Sequence, residues 1–123
     1  MSEFLHGEIT EQIIGAAFQV WKILGYGFLE KVYENALMVE LKLRGLEVEQ
    51  QFDINVCYKE LVVGKYAADL FVERKVIVEL KAEKEYNSKH DAQLLNYLKG
   101  TGIRVGLFLN FGEKKCQFER LIM

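Results

Sequence analysis

Apolar residues recur at helical spacing near the start of the chain. Ile9, Ile13, Ala16, Ala17, Val20, Trp21 and Leu24 form one stripe. The stripe predicts an amphipathic helix over 9–24, with Gly7 or Thr10 near its start and Gly25 at its end. Gly25-Tyr26-Gly27 is a break. A second stripe (Val32, Tyr33, Ala36, Leu37, Leu41, Leu43) predicts a helix over 29–44, stopped by Gly45. Two helices joined by a short glycine turn should pack on each other or over a common sheet. The period then changes from about 3.6 to 2. From Glu47 to Tyr58, Val48, Phe52, Ile54 and Val56 alternate with Glu47, Glu49, Gln51, Asp53 and Asn55, which predicts a first strand with one apolar face. Leu61-Val62-Val63 starts the next strand or forms a short arm, with Gly64 as a bend. Tyr66–Val72 and Val76–Lys81 read as strands, since both are rich in apolar and β-branched residues. Glu83–Asn87 is a polar connection. Ser88 with Asp91 three residues on suggests a capping box. The helix it opens runs to Lys99, with Gly100 as its stop. Ile103–Leu109 reads as a buried strand, Asn110-Phe111-Gly112 as a turn, and Gln117–Ile122 as an edge strand. The predicted order is α-α-β-β-β-α-β-β, an α/β fold in which helices flank a mixed sheet.

The 123 residues are 50% hydrophobic and 28% charged, which predicts a single domain over 1–123 with a real core. No proline and no Ser/Gly-rich tract marks a linker, and no repeat is visible. No apolar run approaches the roughly 18 residues of a membrane span. The start lacks the basic and apolar blocks of a signal peptide. A soluble, cytoplasmic protein with no membrane partner is the expectation. Cys57 and Cys116 have no metal-like spacing, and Cys57 is expected in or near the core. A net charge of −2 argues against a dedicated nucleic-acid coat. That charge is unevenly spread: residues 1–64 carry −5 and residues 65–123 carry +3.

The basic half contains the most informative stretch, Asp69-Leu-Phe-Val-Glu-Arg-Lys-Val-Ile-Val-Glu79-Leu-Lys81. It puts two carboxylates and an amine inside an apolar strand–turn–strand unit, where an unpaired charge is costly. Alternation places Ile77, Glu79 and Lys81 on one face. If Glu73, Arg74 and Lys75 form the loop, Val72 faces Val76 and Asp69 falls opposite Glu79. A two-residue loop would shift the pairing by one. In the first register the two acids repel at about 4.5–5.5 Å between Cβ atoms. A divalent cation, Mg²⁺ or Mn²⁺, would resolve that cost, since both prefer oxygen ligands. The alternative is a surface pair of Glu79 and Lys81 on an edge strand, with Asp69 paired to a nearby lysine.

Two further clusters accompany this stretch. Glu30 falls in the first turn of the second helix, where an anion is favoured. It is either a helix-start residue or a further acid ligand, with Glu34 as a substitute that otherwise faces solvent or pairs with Lys31. His90, Gln93 and Tyr97 share a helical stripe, with Ala92, Leu95 and Leu98 or Leu94 as buried neighbours. Gln93 and Tyr97 either face the site, binding a scissile phosphate or orienting Lys81, or are a solvated glutamine and a core tyrosine. No GxxxxGK[ST] phosphate loop is present, so a nucleotide binder ranks last.

Taken together, these residues resemble the GxxExxY family, a branch of the PD-(D/E)XK nuclease superfamily. Gly27-x-x-Glu30-x-x-Tyr33 matches the name-giving motif, and Ala68-Asp69 with Glu79-x-Lys81 matches the central signature. His90-x-Ala92-Gln93 and Gln93-x-x-x-Tyr97 resemble the extra motif of RecB-type nucleases. Ala68 stands where the signature has proline, which carries no chemistry. The resemblance implies a restriction-endonuclease-like core with a metal held at the sheet. It implies metal ligands at Glu30, Asp69 and Glu79, a catalytic lysine at Lys81, and supporting roles for His90, Gln93 and Tyr97. The implied activity is metal-dependent hydrolysis of phosphodiester bonds, with DNA ahead of RNA. The alternative is an inactive nuclease-fold module that binds a partner or forms a homodimer through an exposed sheet edge. A domain of this size has little surface for reading base sequence, so a partner protein is expected to supply specificity.

Overall fold

The computed structural model describes residues 5–123. Its elements are α1 (Gly7–Leu24), α2 (Glu30–Leu43), β1 (Val48–Tyr58), β2 (Leu61–Val72), β3 (Val76–Lys81), α3 (Lys89–Thr101), β4 (Val105–Phe111) and β5 (Cys116–Ile122). This is the order read from the sequence. The five strands form one mixed sheet whose spatial order follows the chain, β1-β2-β3-β4-β5. Only β3 and β4 are parallel. Parallel neighbours need a crossover, and α3 supplies it. Among the described residues, no helix is long and apolar enough to cross a membrane.

Alternation along the strands divides the core between the two faces of the sheet. Val76, Val78 and Leu80 of β3 and Val105, Leu107, Leu109 and Phe111 of β4 pack with α1 and α2 through Ile13, Ala16, Ala17, Leu37 and Leu41. Ile77 and Phe108 point the other way, toward Leu94, Tyr97 and Leu98 of α3. Gly106 of β4 gives α3 its seat, since a Cβ there would lie 2.9 Å from a methyl of Leu94. The helices therefore cover opposite faces, and β3 and β4 are buried on both sides, as parallel neighbours usually are.

Several local expectations give way to tertiary packing. Leu61–Val63 do start the next strand, with Gly64 inside a continuous β2 rather than at a bend. Ser88 makes no side-chain cap; instead Asn87 Oδ1 accepts from the Lys89 N–H, and Asp91 accepts from the Tyr86 hydroxyl. Gly100 does not stop α3. It lies inside the helix, where a Cβ would come within 2.9 Å of Val56, and Gly102 (φ 76°) ends it. Leu94 and Leu98 are the buried leucines of α3, while Ala92 and Leu95 are exposed. Asn110 and Phe111 belong to β4 rather than to a turn. Cys57 is exposed, not core.

The alternation expected along β1 also breaks. Val48 packs toward α1 and α2, whereas Phe52 and Ile54 pack toward α3. The change of face occurs at Gln51, which has φ 55°. β2 changes face at the facing position: Leu70 and Val72 join the first cluster, Ala68 the second. The pairs Gln50↔Leu70 and Phe52↔Ala68 flank the switch, so Asp69 sits at its centre.

Candidate active site

The loop between β2 and β3 is the three-residue one, Glu73-Arg74-Lys75, and it sets Val72↔Val76, Phe71↔Ile77 and Leu70↔Val78. Beyond Leu70 and Val78 the ladder gives way to side chains. The Asp69 N–H donates to Glu79 Oε1 at 2.8 Å, and the Leu80 N–H donates to Asp69 Oδ2 at 2.9 Å. Each carboxylate thus takes a backbone donor from the strand opposite, and the two acids are locked side by side. The switch of face at Asp69 frees its N–H for this bond. Glu79 is only 6% exposed.

Burial is costly for both acids, and their proximity adds to it. The Glu79 carboxyl is pushed up to about 8, by burial first and then by the Asp69 charge. Asp69 is pushed up to about 6, chiefly by burial; the Leu80 N–H opposes this, while Glu34 and Glu30 add to it. Lys81 lowers both, but not enough to restore ordinary acidity. One oxygen on each acid, Asp69 Oδ1 and Glu79 Oε2, accepts no hydrogen bond among the described residues.

Lys81 ends β3, and its Nζ lies 3.9 Å from Glu30 Oε1 at the start of α2. Local chemistry brings Glu30 there. Gly27 (φ 122°) shapes the turn before α2, a conformation that suits glycine. The fully buried Tyr33 fastens that turn: its hydroxyl donates to the Gly25 carbonyl at 2.5 Å and accepts from the Phe28 N–H at 3.3 Å. Its ring stacks on Phe111 at 4.7 Å. The Gly27, Glu30 and Tyr33 spacing is therefore a device that aims the first turn of α2 at the end of β3.

On the α3 side, Gln93 Nε2 donates to the Tyr97 hydroxyl at 2.9 Å. Tyr97 is buried, and its phenol is pushed up to about 12 by burial and then by the charges of Glu79 and Asp69. Tyr97 thus borders the acid pair, with exposed Gln93 attached to it. His90 does not join them. Its Nε2 lies 3.0 Å from Glu83 Oε2, and its ring stacks on Phe108 at 5.5 Å.

Sequence reasoning missed three neighbours. Asn110 is the cross-strand partner of Lys81 and is 1% exposed. Its amide accepts from the Glu83 N–H and donates to the Glu83 carbonyl, both at 3.0 Å, which fixes the chain just after Lys81. Gln50 and Gln51 both donate to Glu34, together with Lys31. Glu34 is thus buried and answered, not solvent-facing. The amides looked like ordinary strand and turn residues, and only the tertiary fold gives them partners.

Among the described residues, no three His, Cys, Asp or Glu side chains form a group ready to hold a metal ion. The pair itself suits one. Two buried, mutually repelling carboxylates, each with a spare oxygen, are an all-oxygen donor set of the kind a hard divalent cation takes. A family model described as the PD-(D/E)XK nuclease superfamily matches residues 7–121. The chain belongs to that superfamily. PD-(D/E)XK nucleases generally use divalent metals. The chain also resembles a solved crystal structure, that of SSO0001, with a TM-score of 0.54 and 16% identity over 75% of this chain and 49% of that one. The chain spans about half the length of that protein, and the likeness is one of fold: a restriction-endonuclease-like mixed sheet flanked by helices. No curated protein matches the chain.

Proposed function

We propose that this chain is a divalent-metal-dependent nuclease of the GxxExxY branch, hydrolysing phosphodiester bonds of nucleic acid. The observation that carries the reading is the buried pair of Asp69 and Glu79, cross-bonded between two strands, with Lys81 two residues further on. Asp69 and Glu79 would hold Mg²⁺ or Mn²⁺, with Glu30 as the third carboxylate of the site. Once bound, the cation would supply charge neutralisation at the phosphate and a more acidic water. Lys81 orients the attacking water and stabilises the negative charge that builds on the phosphate oxygens. The water oxygen bonds to phosphorus, the far P–O bond breaks, and a proton passes to the departing oxygen. Tyr97 and Gln93 wall the site on the α3 side and support the phosphate. His90, tied to Glu83, steadies the N-terminal end of α3. DNA is the first substrate to try, because the α3 motif resembles that of RecB-type nucleases.

The test is Lys81→Ala with Mg²⁺ or Mn²⁺ and labelled single- and double-stranded DNA and RNA. Lys81 is partly exposed at a strand end, so the fold should survive, as circular dichroism would report. Cleavage should fall by at least about a hundredfold. Equal cleavage by the variant would falsify the assignment of Lys81.

A further inference from the structure

At the end of the sheet where β3 finishes and β4 turns into β5 lies an open cavity of about 330 Å³. Lys84, Glu85 and Tyr86 of the β3–α3 connection, Glu113, Lys114 and Lys115 of the β4–β5 turn, and Gln117 of β5 line it, so three lysines face two acids. Lys84 lies 3.9 Å from Glu113, so one negative group is already answered. Lys114 and Lys115 are exposed and enter no ion pair among the described residues. The Tyr86 hydroxyl is committed to Asp91 and its ring to Phe108, so Tyr86 is wall rather than ligand.

The turn carrying these lysines is exposed yet pinned. The Trp21 indole of α1 donates to the Gly112 carbonyl at 2.8 Å. The Gly112 N–H donates to the Lys115 carbonyl, and the Glu113 N–H donates to the Lys84 carbonyl, each at 3.1 Å. The packing around Gly112 leaves no room for a side chain, since a Cβ would lie 2.7 Å from the Lys115 carbonyl oxygen. With the backbone already pinned, less entropy is given up when the lysines are ordered on a polyanion.

Register supplies the distance. Lys81, Asn110 and Gln117 are cross-strand partners in one row. Adjacent strands lie about 4.8 Å apart, so Gln117 is about 10 Å from Lys81 across the sheet. A nucleic-acid strand in a duplex advances about 3.4 Å along the axis per phosphate, and an unstacked strand advances further, so that gap is at most a few nucleotides. We infer that the cavity is a phosphate subsite. Lys84, Lys114 and Lys115 hold the backbone of the substrate strand within a few nucleotides of the bond that is cut, whatever its base sequence. The inference rests on the nuclease reading above for the position of the cut bond.

Binding of a fluorescein-labelled 16-nucleotide DNA strand, followed by anisotropy from 50 to 300 mM KCl without divalent cation, tests it. The comparison is wild type against the double variant Lys114→Gln/Lys115→Gln. The slope of log K against log salt should shrink by about 0.7 for each phosphate that the variant no longer neutralises, which is about fivefold in Kd per phosphate at 0.1 M salt. With Mg²⁺, the double variant should raise KM and leave kcat unchanged. An unchanged slope overturns the inference, as does no binding by the wild type. An equal loss from Lys22→Gln/Lys42→Gln, on α1 and α2, also overturns it, because any lysine would then serve. If the double variant loses the slope but wild type never cuts, the nuclease reading fails and the subsite stands. If wild type cuts and the slope persists, only the subsite fails.

Discussion

Glu34 and Glu79 are both acids with almost no exposure, 2% and 6%, yet they are treated oppositely. Glu34 receives the Lys31 ammonium and two side-chain amides, from Gln50 and Gln51. Glu79 receives one backbone N–H and a second acid as its neighbour. The first is a buried charge whose surroundings were built to satisfy it. The second is a buried carboxyl left short of partners, and a fold that compensates one acid so fully has no structural reason to leave another in deficit. That contrast separates an acid that holds α2 to β1 from an acid kept ready for a ligand.

The largest expected effect breaks the contrast from the satisfied side. Glu34→Ala leaves the Gln51 amide without its acceptor and the Gln50 amide with Asn35 alone, and should cost about 1–3 kcal/mol in urea unfolding. A variant as stable as wild type would mean that the network contributes nothing. The second prediction has the opposite sign. A carboxyl whose folded pKa lies above its ordinary 4.5 keeps its proton longer in the folded state. Between about 4.5 and about 8 the folded chain therefore binds more protons, and stability falls as pH rises through that window. Without divalent cation, the thermal midpoint should drop from pH 5 to pH 8. Glu79→Gln, whose amide oxygen can still accept from Asp69, should raise it at pH 8 by about 5 °C. Mn²⁺ should stabilise the wild type more at pH 8 than at pH 5 and the variant little at either. Equal destabilisation by Glu79→Gln and Glu34→Ala would erase the distinction between the two acids. The smallest effect concerns Glu30, which belongs to neither case. Tyr33→Phe loses the two bonds that fasten the turn before α2 and should cost about 1 kcal/mol. With Glu30 less firmly aimed, Mn²⁺ affinity by calorimetry should weaken; unchanged affinity would detach Glu30 from the site.

The chemistry was legible where period and residue type agree. Helical stripes gave α1 and α2, and the apolar strand with its embedded Glu79 and Lys81 gave β3. The three-residue loop then settled the register of β2 against β3, which the sequence left open between two pairings. What was not legible depends on partners far along the chain. Gln51 looked like one more polar position in an alternating strand, because nothing local announces a positive φ in a residue other than glycine. Gly100 looked like a helix stop because its real constraint, the nearness of Val56, lies on another element. Asn110 looked like a turn former because short polar side chains favour turns, whereas here a buried amide finds both its partners on Glu83. His90 shared a stripe with Gln93 and Tyr97, but its ring nitrogen pairs with Glu83, seven residues earlier.

The chain has one tryptophan, and its indole is bonded to the carbonyl of Gly112. Its emission is consequently an intrinsic optical gauge of whether the lysine-bearing turn sits docked against α1. A spectral change on adding oligonucleotide, in the unlabelled chain, would register strain at that junction without any reporter having to be introduced.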